Sequence, residues 1–247
     1  MTIEIFHRDG HVLHTCVAHR LRDAVERAVR DRVDLAGARL DGLDLSRANL
    51  ERARMAGCSL ERATLRGANL EKADLQRSEM TGVNFDGANL EDATLAYAVL
   101  VGASGRGANL EDAILDSANL ERAVLDGANF ENADLSGVVL ADGRAARSNL
   151  ERCSLRDANL ARVDLSGANL EKCDLRNAKL MGAILRGANL EKCDLAGANL
   201  SGADLREANL ERCVVEGADF TDANVEQANL EDLRGAPKSR GEGGPYR

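Results

Sequence analysis

From Leu35 to Leu230 every fifth residue carries a large apolar side chain, with two exceptions, Gly105 and Ala145, among forty positions. The register of Leu35, Leu40, Leu45, Leu50, Met55 and Leu60 never slips, and a small residue such as Ala48, Ala53, Cys58 or Ala63 precedes each large one by two places. A helix turns by about 500° over five residues, so these leucines would smear around its cylinder. A long strand would send them to alternate faces. Within one unit, however, the small and the large residue are two apart, as on a strand. A short extended segment with both side chains inward, followed by a two-residue corner, satisfies the pattern. Stacked corners make a solenoid with columns of leucine beside columns of alanine. A leucine-rich-repeat horseshoe has units of ~20–29 residues with irregular leucine spacing, which the constant interval of five argues against.

A second period sets the number of sides. Asn-Leu-Glu, or its Phe variant, recurs at Asn49, Asn69, Asn89, Asn109 and Asn129, and continues at Asn149, Asn169, Asn189, Asn209 and Asn229. Cys153, Cys173, Cys193 and Cys213 keep the same interval of twenty. Twenty residues are four units, so one coil has four sides and equivalent residues stack a coil apart.

The repeated A-(D/N)-L-x-x unit, running from Val33 to about Asp232, resembles the pentapeptide-repeat family. The resemblance implies an all-β solenoid, a right-handed quadrilateral β-helix, with no cofactor. About ten coils at ~4.8 Å each would make a rod ~48 Å long. Burial worth roughly 1.5–3 kcal/mol for each large apolar side chain makes such a core ample without aromatic residues, and the chain has no Trp, two Tyr and four Phe.

Residues 1–32 do not repeat. Thr2–Phe6 and Val12–Val17 are strand-like around Asp9-Gly10, a hairpin signal. Leu21, Ala24, Val25, Ala28 and Val29 follow helical spacing. Such a hairpin and helix would cover the first coil, whose bare end exposes unpaired backbone and leucine. All four histidines lie here, and His7, His14 and Cys16 could share a hairpin face as a metal cluster. Their spacing fits no ligand motif, so surface histidines are the reading adopted and no metal site is assigned. After Leu233 the composition predicts a disordered, mildly basic tail over 233–247. With no helix to close the last coil, Phe220, Val225, Leu230 and Leu233 are the candidate contacts of an end-to-end homodimer.

No catalytic constellation is present: histidine is absent from the repeats and the serines lack a partner base. Five of the six cysteines occupy the inward alanine position and read as small buried hydrophobes rather than ligands. Their stacked side chains point the same way and do not converge on a tetrahedron. No apolar run reaches the ~18–20 residues of a bilayer crossing and no signal peptide is evident. A reduced, cytoplasmic protein without membrane contact is expected.

What remains is a surface. The chain carries a net charge of −9, concentrated mid-rod. Ten acids from Asp86 to Asp134 face only Arg106 and Arg122, whereas twelve acids and twelve bases balance from Asp142 to Glu216. Every coil repeats the Glu of Asn-Leu-Glu, and Arg52, Lys72, Arg152, Lys172, Lys192 and Arg212 come directly after it. Asp92, Asp112 and Asn132 stand there in the middle. The candidate partner-binding residues are Asp86, Glu91, Asp92, Glu111, Asp112, Asp116, Asp126 and Glu131. Gly105 falls in this stretch and Ala145 just beyond its end, in one inward column with Phe85. Phe85 is expected to fill the volume missing at Gly105, and Gly143 to widen the gap at Ala145.

These residues argue for a non-catalytic scaffold presenting an acidic rod to a protein partner. The family resemblance implies a more specific alternative, a mimic of duplex DNA that binds DNA gyrase or topoisomerase IV and modulates it or protects it from antibiotics. Direct nucleic-acid binding would need a basic stripe or stacking aromatics, and the repeats supply neither.

Overall fold

In the computed structural model, which describes residues 1–238, each pentapeptide closes a turn. The Ala48 N–H donates to the Leu45 carbonyl at 3.0 Å across Ser46 and Arg47, and Arg47 has φ 58°. Positive φ at the third turn residue is the requirement of a type II turn. Glycine meets it without strain, and elsewhere Arg, Lys, Asp, Asn, Ser and even Tyr97 adopt it. Left-handed backbone costs a residue with a Cβ about 1–2 kcal/mol, which burial of the neighbouring large side chain offsets.

Between turns the backbone bonds to the coils on either side. Leu50 N–H donates to the Asn69 carbonyl at 2.7 Å, and Asn69 N–H returns to the Ala48 carbonyl at 2.9 Å. Parallel bridges join one residue of each pentapeptide to the one twenty places on, from Asp34 with Arg54 through to Val214 with Arg234. One coil is therefore twenty residues and four turns. The large and small positions of the repeat are buried along the rod, as at Leu120, Ala123 and Leu125.

The two breaks in the inner pattern resolve differently. A Cβ at Gly105 would collide with the Phe85 ring, so Phe85 occupies the volume that a leucine there would have taken. At Ala145 the deficit survives as an enclosed apolar cavity of about 10 Å³. Phe130 and Leu140 line it. Gly143 does not widen this gap as expected, because Leu140 lies against it: a Cβ on Gly143 would come 2.7 Å from Leu140 Cδ1.

The N-terminal cap is strand β1 (Thr2–Phe6), strand β2 (Val12–Val17) and helix α1 (Leu21–Arg30). β1 and β2 pair antiparallel, and α1 buries Ala24, Val25 and Ala28. The end of β1 docks on the first coil, where Arg39 N–H donates to the Phe6 carbonyl at 2.8 Å and Arg8 N–H to the Gly37 carbonyl at 2.9 Å. At the other end, residues 233–238 depart from the expected tail. Arg234 N–H donates to the Cys213 carbonyl at 2.9 Å and Lys238 N–H to the Ala218 carbonyl at 2.8 Å, extending the ladder. The rest of that expected tail lies outside the described residues.

Candidate protein-binding surface

The Asn of Asn-Leu-Glu organises one side of the rod. Its Oδ1 accepts the backbone N–H two residues on, as from Glu131 to Asn129 at 3.2 Å, which is an Asx turn. Its Nδ2 donates to the Asn one coil earlier, at 3.1 Å from Asn109 to Asn89, 3.0 Å from Asn129 to Asn109 and 2.9 Å from Asn149 to Asn129. The ladder runs on to Asn229. An amide can both donate and accept along such a column, which a carboxylate cannot. In other columns, where no such chain forms, aspartate makes the Asx turn alone, as Asp74 does with Gln76 N–H at 3.1 Å.

The glutamate corner beside this ladder changes character along the rod. In the later coils each glutamate has a cation at the next residue: Lys172 Nζ lies 2.7 Å from Glu171, Lys192 Nζ 2.6 Å from Glu191, and Arg212 3.2 Å from Glu211. The Lys172 ammonium holds the Glu171 carboxyl below its ordinary range. In the middle the glutamates approach the amide ladder instead. Glu91 Oε2 accepts from Asn109 at 3.4 Å and Glu111 Oε2 from Asn129 at 3.2 Å. Lys72 reaches Asp92 at 3.3 Å from one end of this stretch, and Arg152 reaches Glu131 at 3.1 Å from the other. Among the described residues no ion pair reaches Glu91, Glu111 or Asp112.

Five of the eight candidate residues (Glu91, Asp92, Glu111, Asp112 and Glu131) thus share one corner. The other three do not join them. Asp86 and Asp126 occupy the corner one unit earlier, where Asp86 accepts from Ser104 at 2.7 Å and from the Arg106 N–H at 2.8 Å. Arg144 lies 3.2 Å from Asp126. Asp116 sits one unit later, with Ser117 Oγ 3.4 Å away. Of the candidate dimer contacts, Phe220 is buried, whereas Val225, Leu230 and Leu233 are half-buried.

The cysteines are packed thiols. Cys153, Cys173 and Cys193 donate to the carbonyls of Phe130, Leu150 and Leu170 at 2.9 Å, and Cys213 to that of Leu190 at 3.0 Å. Burial pushes Cys153 and Cys193 well above the ordinary thiol range. Cys173 stands between them in the same stack and packs against the Leu150 carbonyl in the same way. Cys58, likewise buried, is pushed up to about 12. His7, His14 and Cys16 do not come together as a ligand set. Among the described residues the His, Cys and acidic side chains that converge are His7, Asp9 and His11.

The periodicity is matched by known proteins. The family model described as pentapeptide repeats covers residues 31–67, 133–171, 158–197, 173–212 and 198–232, and a second, described as a pentapeptide repeat region, covers 53–130. Solved structures similar to this chain include HetL, a pentapeptide repeat protein involved in heterocyst differentiation regulation from the cyanobacterium Nostoc sp. It has 32% identity and a TM-score of 0.33, covering 81% of this chain and 86% of its own. QnrB1, a plasmid-mediated fluoroquinolone resistance protein, has 23% identity and a TM-score of 0.40, covering 80% of this chain and 92% of its own. A search of curated proteins finds no significant match.

Proposed function

Because the chain belongs to the pentapeptide-repeat family, we propose that it is a non-catalytic scaffold that offers the mid-rod glutamate corner to a protein partner. The right-handed winding of a quadrilateral β-helix comes with that membership. The observation that carries the reading is the stack of Glu91, Glu111 and Asp112, carboxylates on consecutive coils without a cationic partner among the described residues. Like charges ~4.8 Å apart repel by less than about 1 kcal/mol per pair in water. A basic surface laid along the corner would relieve that repulsion and gain directional contacts. Six free, buried cysteines support a reducing, cytoplasmic setting, and no helix among the described residues is long and apolar enough to cross a membrane.

The test is charge reversal. Replacing Glu91, Asp92, Glu111 and Asp112 together by lysine leaves the interior untouched. The wild-type rod should capture a partner from cell extract whose retention falls as salt rises, since exposed charges are screened beyond ~8–10 Å. The reversed rod should not capture it. Equal capture by both would reduce the corner to a solubilising surface.

A second, narrower reading is a DNA mimic directed at DNA gyrase or topoisomerase IV, favoured by the axial stacking of carboxylates on a rod. The purified protein should then inhibit gyrase supercoiling or rescue it from a poison, and the reversed rod should do neither. Unchanged supercoiling across a broad concentration range would remove this reading and leave the scaffold. End-to-end pairing through Val225, Leu230 and Leu233, with Phe220 beneath, belongs with it. Sedimentation at micromolar concentration should give a dimer, and a monomer at high concentration would exclude the pairing.

A further inference from the structure

The tip of the N-terminal hairpin brings together three side chains that the acidic corner does not involve. His7 and His11 face each other across the turn and Asp9 lies within it. Two backbone bonds hold the tip: His7 N–H donates to the His11 carbonyl at 2.9 Å, and Gly10 N–H to the His7 carbonyl at 3.0 Å. Asp9 Oδ1 lies 2.8 Å from His7 Nδ1 and 2.6 Å from His11 Nδ1. The two imidazoles are stacked, with centroids 4.6 Å apart and planes 17° apart.

The His7 ring is fixed by its surroundings. It fills the notch left by Gly37 of the first coil, where any Cβ would collide with it. Its Nδ1 faces Asp9, 3.2 Å from the backbone nitrogen and 2.8 Å from Oδ1. The His11 backbone N–H donates to Asp9 Oδ1 at 3.2 Å and fixes the carboxylate at the tip. The neighbouring Arg8 guanidinium, which would compete as a cation, turns away to the Gly57 carbonyl at 3.4 Å and Glu79 at 4.0 Å.

We propose that His7 Nδ1, His11 Nδ1 and Asp9 Oδ1 bind a divalent transition-metal ion of the zinc class. Two imidazole nitrogens and one carboxylate oxygen suit zinc, nickel or cobalt. Calcium and magnesium call for more oxygen ligands. The three atoms lie within 4.8 Å of one another, close enough for one ion to take the place of the shared proton, with bonds of ~2.0–2.2 Å. Water would complete the coordination. Because His7 is wedged against Gly37, the ion would also fasten the hairpin to the first coil.

The experiment uses the full chain, stripped with a chelator and titrated with zinc chloride by calorimetry and with cobalt(II) by visible absorption. One equivalent should bind, and cobalt should give ligand-field bands without thiolate charge-transfer absorption. His11→Ala and Asp9→Asn, both at exposed positions, should abolish binding while His14→Gln retains it. Imidazole resonances of His7 and His11, and not those of His14 or His19, should move when zinc is added to the wild-type chain. That measurement stands even if a variant folds poorly. No binding to the wild-type chain, thiolate bands with cobalt, or shifts at His14 and His19 alone would overturn the assignment. So would binding that survives both His11→Ala and Asp9→Asn.

Discussion

The stretch from Glu91 to Asn132 and the stretch from Glu151 to Arg212 are built on the same turns, the same amide ladder and the same buried leucines. They differ in the residue directly after each corner glutamate. Where that residue is Arg or Lys, the carboxylate is paired within its own coil, as at Glu171 and Lys172. Where it is Asp or Asn, the carboxylate leans on an asparagine. The two corner residues point outward and make no demand on the interior, so charge can be rewritten there without cost to the fold. In a solenoid of this kind, the shape is written in two positions of five and the surface in the others.

If the interiors are equivalent, Leu120→Lys and Leu180→Lys should each destabilise by several kcal/mol, as burying an unpaired charge does. Both leucines are buried. Thermal unfolding checks this, and a marked difference between the two would break the premise. Glu121→Lys, on the surface next to Leu120, should stay within about ±0.5 kcal/mol.

The amide ladder sharpens the contrast. Asn109→Asp would set a carboxylate oxygen against Asn89 Oδ1, now its acceptor at 3.1 Å, in the stretch that already holds Glu91 and Glu111. A cost of about 1–3 kcal/mol is expected from the unsatisfied contact. Asn189→Asp breaks the same bond to Asn169 at 3.1 Å, but Lys172 and Lys192 stand on the adjacent corner. It should cost less. Denaturant unfolding of the two variants side by side reads the difference.

Acid should act on the paired stretch in a defined window. Arg176, hydrogen-bonded to Asp174, holds that carboxyl down at about 2. A lowered carboxyl stabilises the folded chain above its unfolded value near ~3.9 and loses that contribution as pH falls towards the folded value. Asp174 is partly open to water, so the amount is on the order of 1 kcal/mol after solvent screening. Asp174→Asn should flatten the pH dependence of unfolding between about 4 and 2.

The smallest effect is expected from Asp112→Lys, which recreates beside Glu111 the pairing seen at Lys172 and Glu171. A gain of about 0.5 kcal/mol or less should vanish in high salt.

Much of this architecture was legible in the sequence because solenoid packing is one-dimensional. A residue such as Leu120 meets its chain neighbours and the coils above and below, so a fixed interval in the chain becomes a fixed place in space. Asp9-Gly10 and the flanking β-rich runs likewise announced the hairpin. The asparagine recurrence was visible, but its amide ladder was not inferred, since that depends on Oδ1 serving two donors at once. The eight acidic candidates read as a belt because sequence distance along the rod hides which corner a residue occupies. Counting in twenties would have separated Asp86, Asp116 and Asp126 from the others. The His7–Asp9–His11 cluster was missed in favour of His14 and Cys16 because the reading sought one face of the strands, whereas the turn itself folds Asp9 back against both imidazoles.

The antiparallel bridge between His7 and Ala38 has a consequence for how the rod is wound. The segment Gly-Ala-Asn-Leu-Glu-Lys-Cys-Asp-Leu occurs at 167–175 and again, unchanged, at 187–195. A chain that slipped forward by one whole coil would present much the same leucines, thiols and amides to its neighbour. Over those laps the inner surface is a tape without page numbers, and nothing within it tells one lap from the next. The cap's backbone bonds to the first lap, and so supplies the origin from which the others are counted.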